Sequence, residues 1–157
     1  MALKTEQYEE IPQLAQVIAQ SAAKIGVKIN LKVEPQGQYY GKATYGNSDW
    51  LDGAMSLVDY NDRGVPNVYL EAAYERSGPW DAARFNNPMF DRLVKQFIAA
   101  VDLQSQRTLA GKIQTLLLDQ TPIVIPYFLD LLTATTKQVA GTVTTAAAIF
   151  LKDAYKT

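Results

Sequence analysis

The order of patterns in residues 1–35 constrains the fold more than any other feature of the chain. Over residues 11–25 the apolar side chains Ile11, Leu14, Val17, Ile18 and Ile25 recur at helical spacing. Pro12 falls in the first turn, where a missing N–H costs nothing, and Gly26 stands just past the end. Over residues 27–33, Val27, Ile29, Leu31 and Val33 alternate with Lys28, Asn30 and Lys32, the period of a strand with one buried and one wet face, and Pro35 stops it. Residues 3–5 predict an earlier strand. Strand, helix, strand in so short a stretch makes a βαβ unit, whose strands are parallel and whose crossover is right-handed.

The remainder continues an α/β chain. Residues 36–47 are polar and rich in tyrosine and glycine, which predicts a short helix or loop whose tyrosines serve packing. Residues 53–58 predict a small apolar strand that Asp52 opens and Asp59 ends abruptly, and ligand sites form at such strand ends in open α/β sheets. Arg63, Gly64 and Pro66 make a turn, residues 67–74 a short helical stretch, and residues 77–88 a loop of turn formers. Phe90, Leu93, Val94, Phe97, Ile98 and Val101 form the core face of a second amphipathic helix. Leu109, Ile113, Leu116 and Leu117 form that of a third, with Asp102 or Ser105 as its N-cap. The apolar run at 123–126 predicts a buried strand or an extended crossing segment, and residues 134–145 are only loosely patterned. No repeat or linker divides the 157 residues, so one domain is expected.

Composition removes whole classes of function. Fifteen Lys plus Arg balance sixteen Asp plus Glu without a block of either sign, which argues against nucleic acid and anionic membrane as partners. Cysteine and histidine are both absent, so thiolate and imidazole ligands, cysteine nucleophiles and histidine bases are excluded. No apolar stretch reaches the ~18 residues of a membrane span. The first twenty residues carry Lys4, Glu6, Glu9 and Glu10 where a signal peptide needs an apolar core, so the start looks internal and the chain is expected to be a piece of something longer.

Enzymatic chemistry would rest on the carboxylates Asp49, Asp52, Asp59 and Asp62. Asp52 and Asp59, at opposite ends of the expected strand, would lie roughly 20 Å apart at ~3.3 Å per residue, too far to work as a pair. A calcium loop beginning at Asp59 would need a bidentate Glu at its twelfth position, where Leu70 stands. No phosphate-binding glycine loop occurs. A binding role remains, in which a lone carboxylate at a strand end meets a cation and aromatic side chains supply area, and Asp59 suits it. The alternative is that Asp59 caps a turn or pairs with Arg63.

Several segments together resemble a known family. They are Ile25-Gly26-Val27-Lys28-Ile29-Asn30-Leu31, the small strand ending at Asp59-Tyr60-Asn61, Asn86-Asn87-Pro88-Met89-Phe90-Asp91-Arg92-Leu93, Gln106-Arg107 through Leu118, and Thr121-Pro122-Ile123-Val124-Ile125-Pro126-Tyr127. In this order, from about Leu3 to Tyr127, they resemble the C-terminal part of the peptide and nickel class (family 5) of ABC-transporter substrate-binding proteins. The resemblance implies part of one lobe of a type II periplasmic-binding-protein-like clamshell, with the N-terminal lobe of the same protein missing, and no enzyme activity or cofactor. The whole protein would be periplasmic, or extracellular and membrane-anchored, and would bind a peptide or other small molecule and deliver it to a membrane permease.

In peptide-binding members an Asp after the strand pairs with the ligand's ammonium while strand backbone pairs with the peptide. The matching positions are Asp59, with Tyr60 and Arg63 beside it, and the backbone around Met55, Leu57 and Val58. Two departures stand out. Many members have a Trp shortly before the Asp and an Asp-Pro just after it, where this chain has Ser56-Leu57-Val58 and Asp62-Arg63-Gly64. Arg63 thus adds a cation that either receives an acidic group of the ligand or neutralises Asp59 or Asp62. Nickel ligation by histidine is impossible within this segment, and a chelated metal would be held by other groups. The rival readings are a small α/β enzyme using Asp59, Asp62 and Arg63, and an interaction module; a large exposed apolar patch would favour a missing lobe over a finished enzyme.

Overall fold

The computed structural model describes residues 1–60, 63–130, 132–144 and 149–156. Its centre is a parallel sheet of three strands, β1 (Ala2–Glu6), β2 (Asn30–Glu34) and β3 (Ser56–Leu57), in the order β2-β1-β3. β1 pairs with β2 in register from Ala2↔Asn30 to Glu6↔Glu34, and with β3 at Lys4↔Ser56 and Thr5↔Leu57. Helix α1 (Ile11–Ala23) joins β1 to β2, which is the expected βαβ unit.

Period-two alternation on β1 separates two chemistries. Leu3 and Thr5 on one face are fully buried, and Ile11 and Ala15 are the buried residues of α1. Lys4 and Glu6 point to the other face, against α2 (Gln36–Tyr40) and α3 (Asp49–Asp52). The register sets Lys4 opposite Lys32, and like charges facing each other across a ladder repel. Asp49 resolves the conflict: its carboxylate accepts from Lys4 Nζ at 2.6 Å and from Lys32 Nζ at 3.0 Å. These two bonds, the Lys4 one first, hold the Asp49 carboxyl well below the usual carboxylate range.

Four expectations need correction. The strand expected at 53–58 is only Ser56–Leu57, and Asp52 does not open it but ends α3, where its carboxylate accepts from the backbone N–H of Gly46 at 2.9 Å and of Ser48 at 3.1 Å. Turn-forming Asp and Ser side chains draw the chain into a helical turn there. The alternating face of 27–33 is not buried: Leu31 and Val33 are 36% and 44% exposed, because α1 leaves them open to solvent. Of the two alternatives for residues 123–126 the strand is not formed, and Val124 and Ile125 are exposed rather than buried, as are Phe128, Leu129 and Leu132 just beyond. Helix α1 also stops at Ala23, short of Ile25, which is exposed.

After α4 (Pro66–Tyr69) the chain continues as a π-helical turn, Leu70–Tyr74, matching the helical stretch expected at 67–74. Two longer helices follow. α5 (Pro88–Ala99) is capped by Asn87, whose side chain accepts from Met89 N at 3.0 Å and Phe90 N at 3.2 Å. α6 (Leu103–Gln120) is capped by Asp102, which accepts from Ser105 N at 2.8 Å, so Asp102 takes the role left open between the two. Phe90, Leu93 and Val94 of α5 and Ile113 of α6 make one core, flanked by Leu70, Tyr74, Phe85 and Phe97. A second core of Tyr39, Trp50 and Leu51 lies under the carboxyl end of the sheet. The tail adds two small antiparallel pairs, β4 (Val139–Ala140) with β7 (Tyr155–Lys156) and β5 (Val143–Thr144) with β6 (Ile149–Phe150).

Removing the bridge between Lys4 and Lys32 tests the polar face. Asp49→Asn is expected to lower stability by about 1–2 kcal/mol, read from the urea midpoint at neutral pH. Because the folded pKa of Asp49 lies below the ordinary 3.8, its contribution is complete above pH 3.8 and is lost as pH falls towards the lowered value. The variant should therefore lose less stability than the parent on acidification through that window. An unchanged midpoint would mean that the two lysines need no counter-ion.

Candidate functional site

All three central strands run parallel, so their carboxyl ends, Glu6, Glu34 and Leu57, open on one side, and the chain leaves β3 there as Val58-Asp59-Tyr60. Glu6 organises this edge. It is 1% exposed, and its carboxylate accepts from the Tyr40 hydroxyl and from Gln36 Nε2, both at 2.7 Å, and more weakly from the backbone N–H of Asp59 at 3.5 Å. One buried carboxylate thus ties α2 to the segment that carries Asp59.

A cavity of about 200 Å³ opens beside Asp59, lined by Tyr40, Trp50, Val58, Asp59, Tyr60, Arg63 and Trp80. Its wall is aromatic. Tyr40 meets Trp50 edge to face at 5.4 Å between centroids, Trp50 meets Tyr60 at 6.2 Å, and Tyr60 lies 6.5 Å from Trp80. The Tyr60 hydroxyl donates to the Trp80 carbonyl at 3.1 Å, which fixes both rings. Arg63 places its guanidinium over the Trp80 ring, 5.5 Å from the centroid. Burial pushes the Tyr40 and Tyr60 phenols up, and for Tyr40 the bond to Glu6 adds to it, so both remain neutral donors.

Asp59 is half-buried at the mouth of this wall. Desolvation raises its carboxyl pKa above the ordinary value, the negative charges of Glu9, Glu6 and Glu10 add to the rise, and Arg63 opposes it. A half-desolvated carboxylate among other carboxylates gains from a cation, and aromatic faces around it supply apolar area and cation–π attraction.

Of the site residues expected from sequence, Val58, Asp59, Tyr60 and Arg63 come together on this cavity. Met55 and Leu57 do not line it: the Met55 carbonyl accepts from Lys4 N at 3.0 Å within the sheet, and the Leu57 carbonyl accepts from the Tyr39 hydroxyl at 2.6 Å. Asp62, needed by the enzyme alternative, lies outside the described residues. Asp49 and Asp52 are committed to lysines and backbone amides, and among the described residues no group of acidic side chains is placed to hold a metal ion. Tyr40, Trp50, Trp80 and Glu6 belong to the site although the sequence did not mark them. The density of aromatic residues on either side of Asp59 was the available signal.

This arrangement lies at the open carboxyl end of a parallel sheet, the place where α/β folds hold small ligands. The fold is mixed α/β and is that of part of a periplasmic binding protein, as the resemblance implied. No protein-family model matches the sequence, and no curated protein matches it. Among solved structures, the chain is similar to the murein tripeptide binding protein MppA of Escherichia coli, with a TM-score of 0.65 and 20% identity over 78% of this chain and 23% of that one. It is similar to NikA of Staphylococcus aureus, solved with Ni(L-His)2, with a TM-score of 0.65 and 21% identity over 78% of this chain and 26% of that one. A dipeptide binding protein of Pseudoalteromonas sp. SM9913, solved with Met-Leu, matches over 100% of this chain and 32% of that one, with a TM-score of 0.65 and 16% identity. The chain therefore spans between 23% and 32% of the length of these proteins, and the structures it resembles are solute-binding proteins of the peptide and nickel class.

The Glu6 carboxylate should depend on its phenolic donor. Tyr40→Phe leaves a buried carboxylate oxygen without its 2.7 Å bond and is expected to cost about 1–3 kcal/mol, read as a lowered midpoint in urea. A variant as stable as the parent would remove Glu6 as the organiser of this edge.

Proposed function

We propose that this chain is part of the C-terminal ligand-binding lobe of an extracytoplasmic solute-binding protein serving ABC-transporter uptake, and that Asp59 receives the ammonium group of its ligand. The observation that carries the reading is the position of Asp59. It leaves the carboxyl end of a parallel sheet, half-buried and set against an aromatic wall, in a surround that other carboxylates make negative. Peptides supply an ammonium, extended backbone and side chains that such a wall would cover, and two of the proteins with this fold are described as binding a murein tripeptide and a dipeptide.

The rest of the protein would complete the cleft. Ligand pockets bury most of their ligand's surface, and a cavity of about 200 Å³ on one open edge supplies only one wall. The apolar side chains left in solvent, Leu31 and Val33 on β2 and Val124, Phe128 and Leu132 beyond α6, are what a chain stripped of an N-terminal lobe would expose. In the whole protein, closure of two lobes over the ligand would present the surface that a membrane permease recognises, in the periplasm or on a membrane-anchored extracellular protein. Binding without catalysis accords with the structural neighbours, which are described as binding proteins.

The test uses the full-length protein and a set of short peptides with free or acetylated N-termini. Asp59→Asn is expected to weaken free-amine peptides about 10–100-fold by calorimetry while acetylated peptides change little, the worth of a charge-assisted hydrogen bond. Affinity for the amine should fall as pH is lowered through the raised pKa of Asp59, since the protonated carboxyl no longer attracts the ammonium, and Asp59→Asn should remove this dependence. Equal affinity of parent and variant for free-amine peptides would take Asp59 out of the site.

A further inference from the structure

A second cavity of about 270 Å³ lies apart from the one beside Asp59. It lies on the other side of the Trp80-Asp81 junction and is lined by Tyr45, Arg76, Ser77, Asp81, Arg84, Phe85 and Asn86. Its chemistry is the reverse of the strand-end cavity. The exposed groups around it are donors: two guanidinium groups, the Ser77 hydroxyl and the Asn86 amide.

The acidic groups nearby bear on Arg84 but have other partners as well. Asp81 is buried, and its carboxylate accepts from Phe85 N at 2.8 Å. Asp52 approaches Arg84 only to 3.9 Å, while its own oxygens hold the amides of Gly46 and Ser48. Asp91 accepts weakly from the backbone N–H of Arg76, at 3.4 Å.

The cavity is also preformed. The Arg84 guanidinium lies 5.0 Å from the centroid of the Tyr45 ring, and the Tyr45 hydroxyl donates to the Asp81 carbonyl, so the ring that supports the cation is tied to the loop that carries it. Both ends of that loop hold left-handed backbone at residues other than glycine, Ser77 at φ 68° and Arg84 at φ 54°. Such conformations persist where the surrounding contacts over-determine them. Here they aim the residues that line the cavity.

We infer that this cavity is a second binding site, for a small oxyanion, a carboxylate or phosphate group held between Arg76 and Arg84. A planar guanidinium matches either group through paired N–H donors, and Ser77 and Asn86 add neutral donors at the rim. The site is separate from the one at Asp59 and does not depend on that reading.

Titration of the protein with inorganic phosphate and, separately, with acetate tests it, followed by the Arg Nε–H signals in NMR spectra. Saturable shifts of the Arg76 and Arg84 signals are expected. Arg76→Gln and Arg84→Gln should each weaken binding about ten-fold, and the double substitution should abolish saturation. Raising ionic strength should weaken it further. Arg63→Gln, in the other cavity, should leave it unchanged. A preference for phosphate or for acetate names the class of ligand group, and either supports the site. Shifts that grow without saturating in the parent protein, or saturable binding that survives the double substitution or follows Arg63 instead, would overturn the assignment.

Discussion

Lys4 and Lys32 stand opposite one another across the β1–β2 ladder, Glu6 and Glu34 do the same two residues on, and the fold depends on how that charged face is covered. Sheet faces normally bury apolar side chains, and charges are buried only when paired or hydrogen-bonded. Asp49 neutralises the lysines, and Tyr40 and Gln36 donate to Glu6. Glu34 is held by Lys32 and by Gln38 Nε2 at 3.3 Å, and one of its buried oxygens has no hydrogen-bond partner among the described residues. The short helices α2 and α3 are therefore held to the sheet by polar contacts as well as by the core of Tyr39, Trp50 and Leu51. Those contacts set where the segment between them and β3 must run.

The strand-end cavity is a consequence of that arrangement. With Glu6 spanning from α2 to the Asp59 backbone, and Tyr39 donating to the Leu57 carbonyl, the exit from β3 is held from two sides. Trp50 of α3 is brought under Tyr60, and Tyr60 reaches across to Trp80. Asp59 is then half-desolvated by neighbours from distant parts of the chain, which a carboxylate in an isolated turn would not be. Its charge environment is set by Glu6, Glu9 and Glu10, contributed by β1 and the turn after it.

The two cavities are lined by consecutive residues, Trp80 and Asp81, and differ in sign. The Trp80-Asp81 junction gives its ring to the carboxylate side and its buried carboxyl to the arginine side. Mixed charge over the whole chain, fifteen basic against sixteen acidic residues, hides this separation, since the sum is nearly zero. Local fields depend on which residues the fold gathers, and only the fold sorts them.

Local pattern was enough to read the βαβ start, the helices α5 and α6, and Asp102 as one of two cap candidates for α6, because each rests on periodicity or on capping within a few residues. The same reading placed a longer strand at 53–58 and missed that Asp52 closes a helical turn. That turn is held by Lys4 and Lys32, which are remote in sequence. It also buried the apolar faces of 27–33 and 123–126, since alternation reports which side chains seek cover and not whether the chain supplies it. Tyr40, Trp50 and Trp80 could not be joined to Asp59 from sequence, because the ring contacts that gather them cross 10 to 20 positions. The sequence by itself determined the parallel α/β frame and the carboxylate at its open edge, both products of short-range order. Tertiary structure alone decided which aromatic and charged groups surround that carboxylate, because desolvation and ring contacts exist only once distant segments have been brought together.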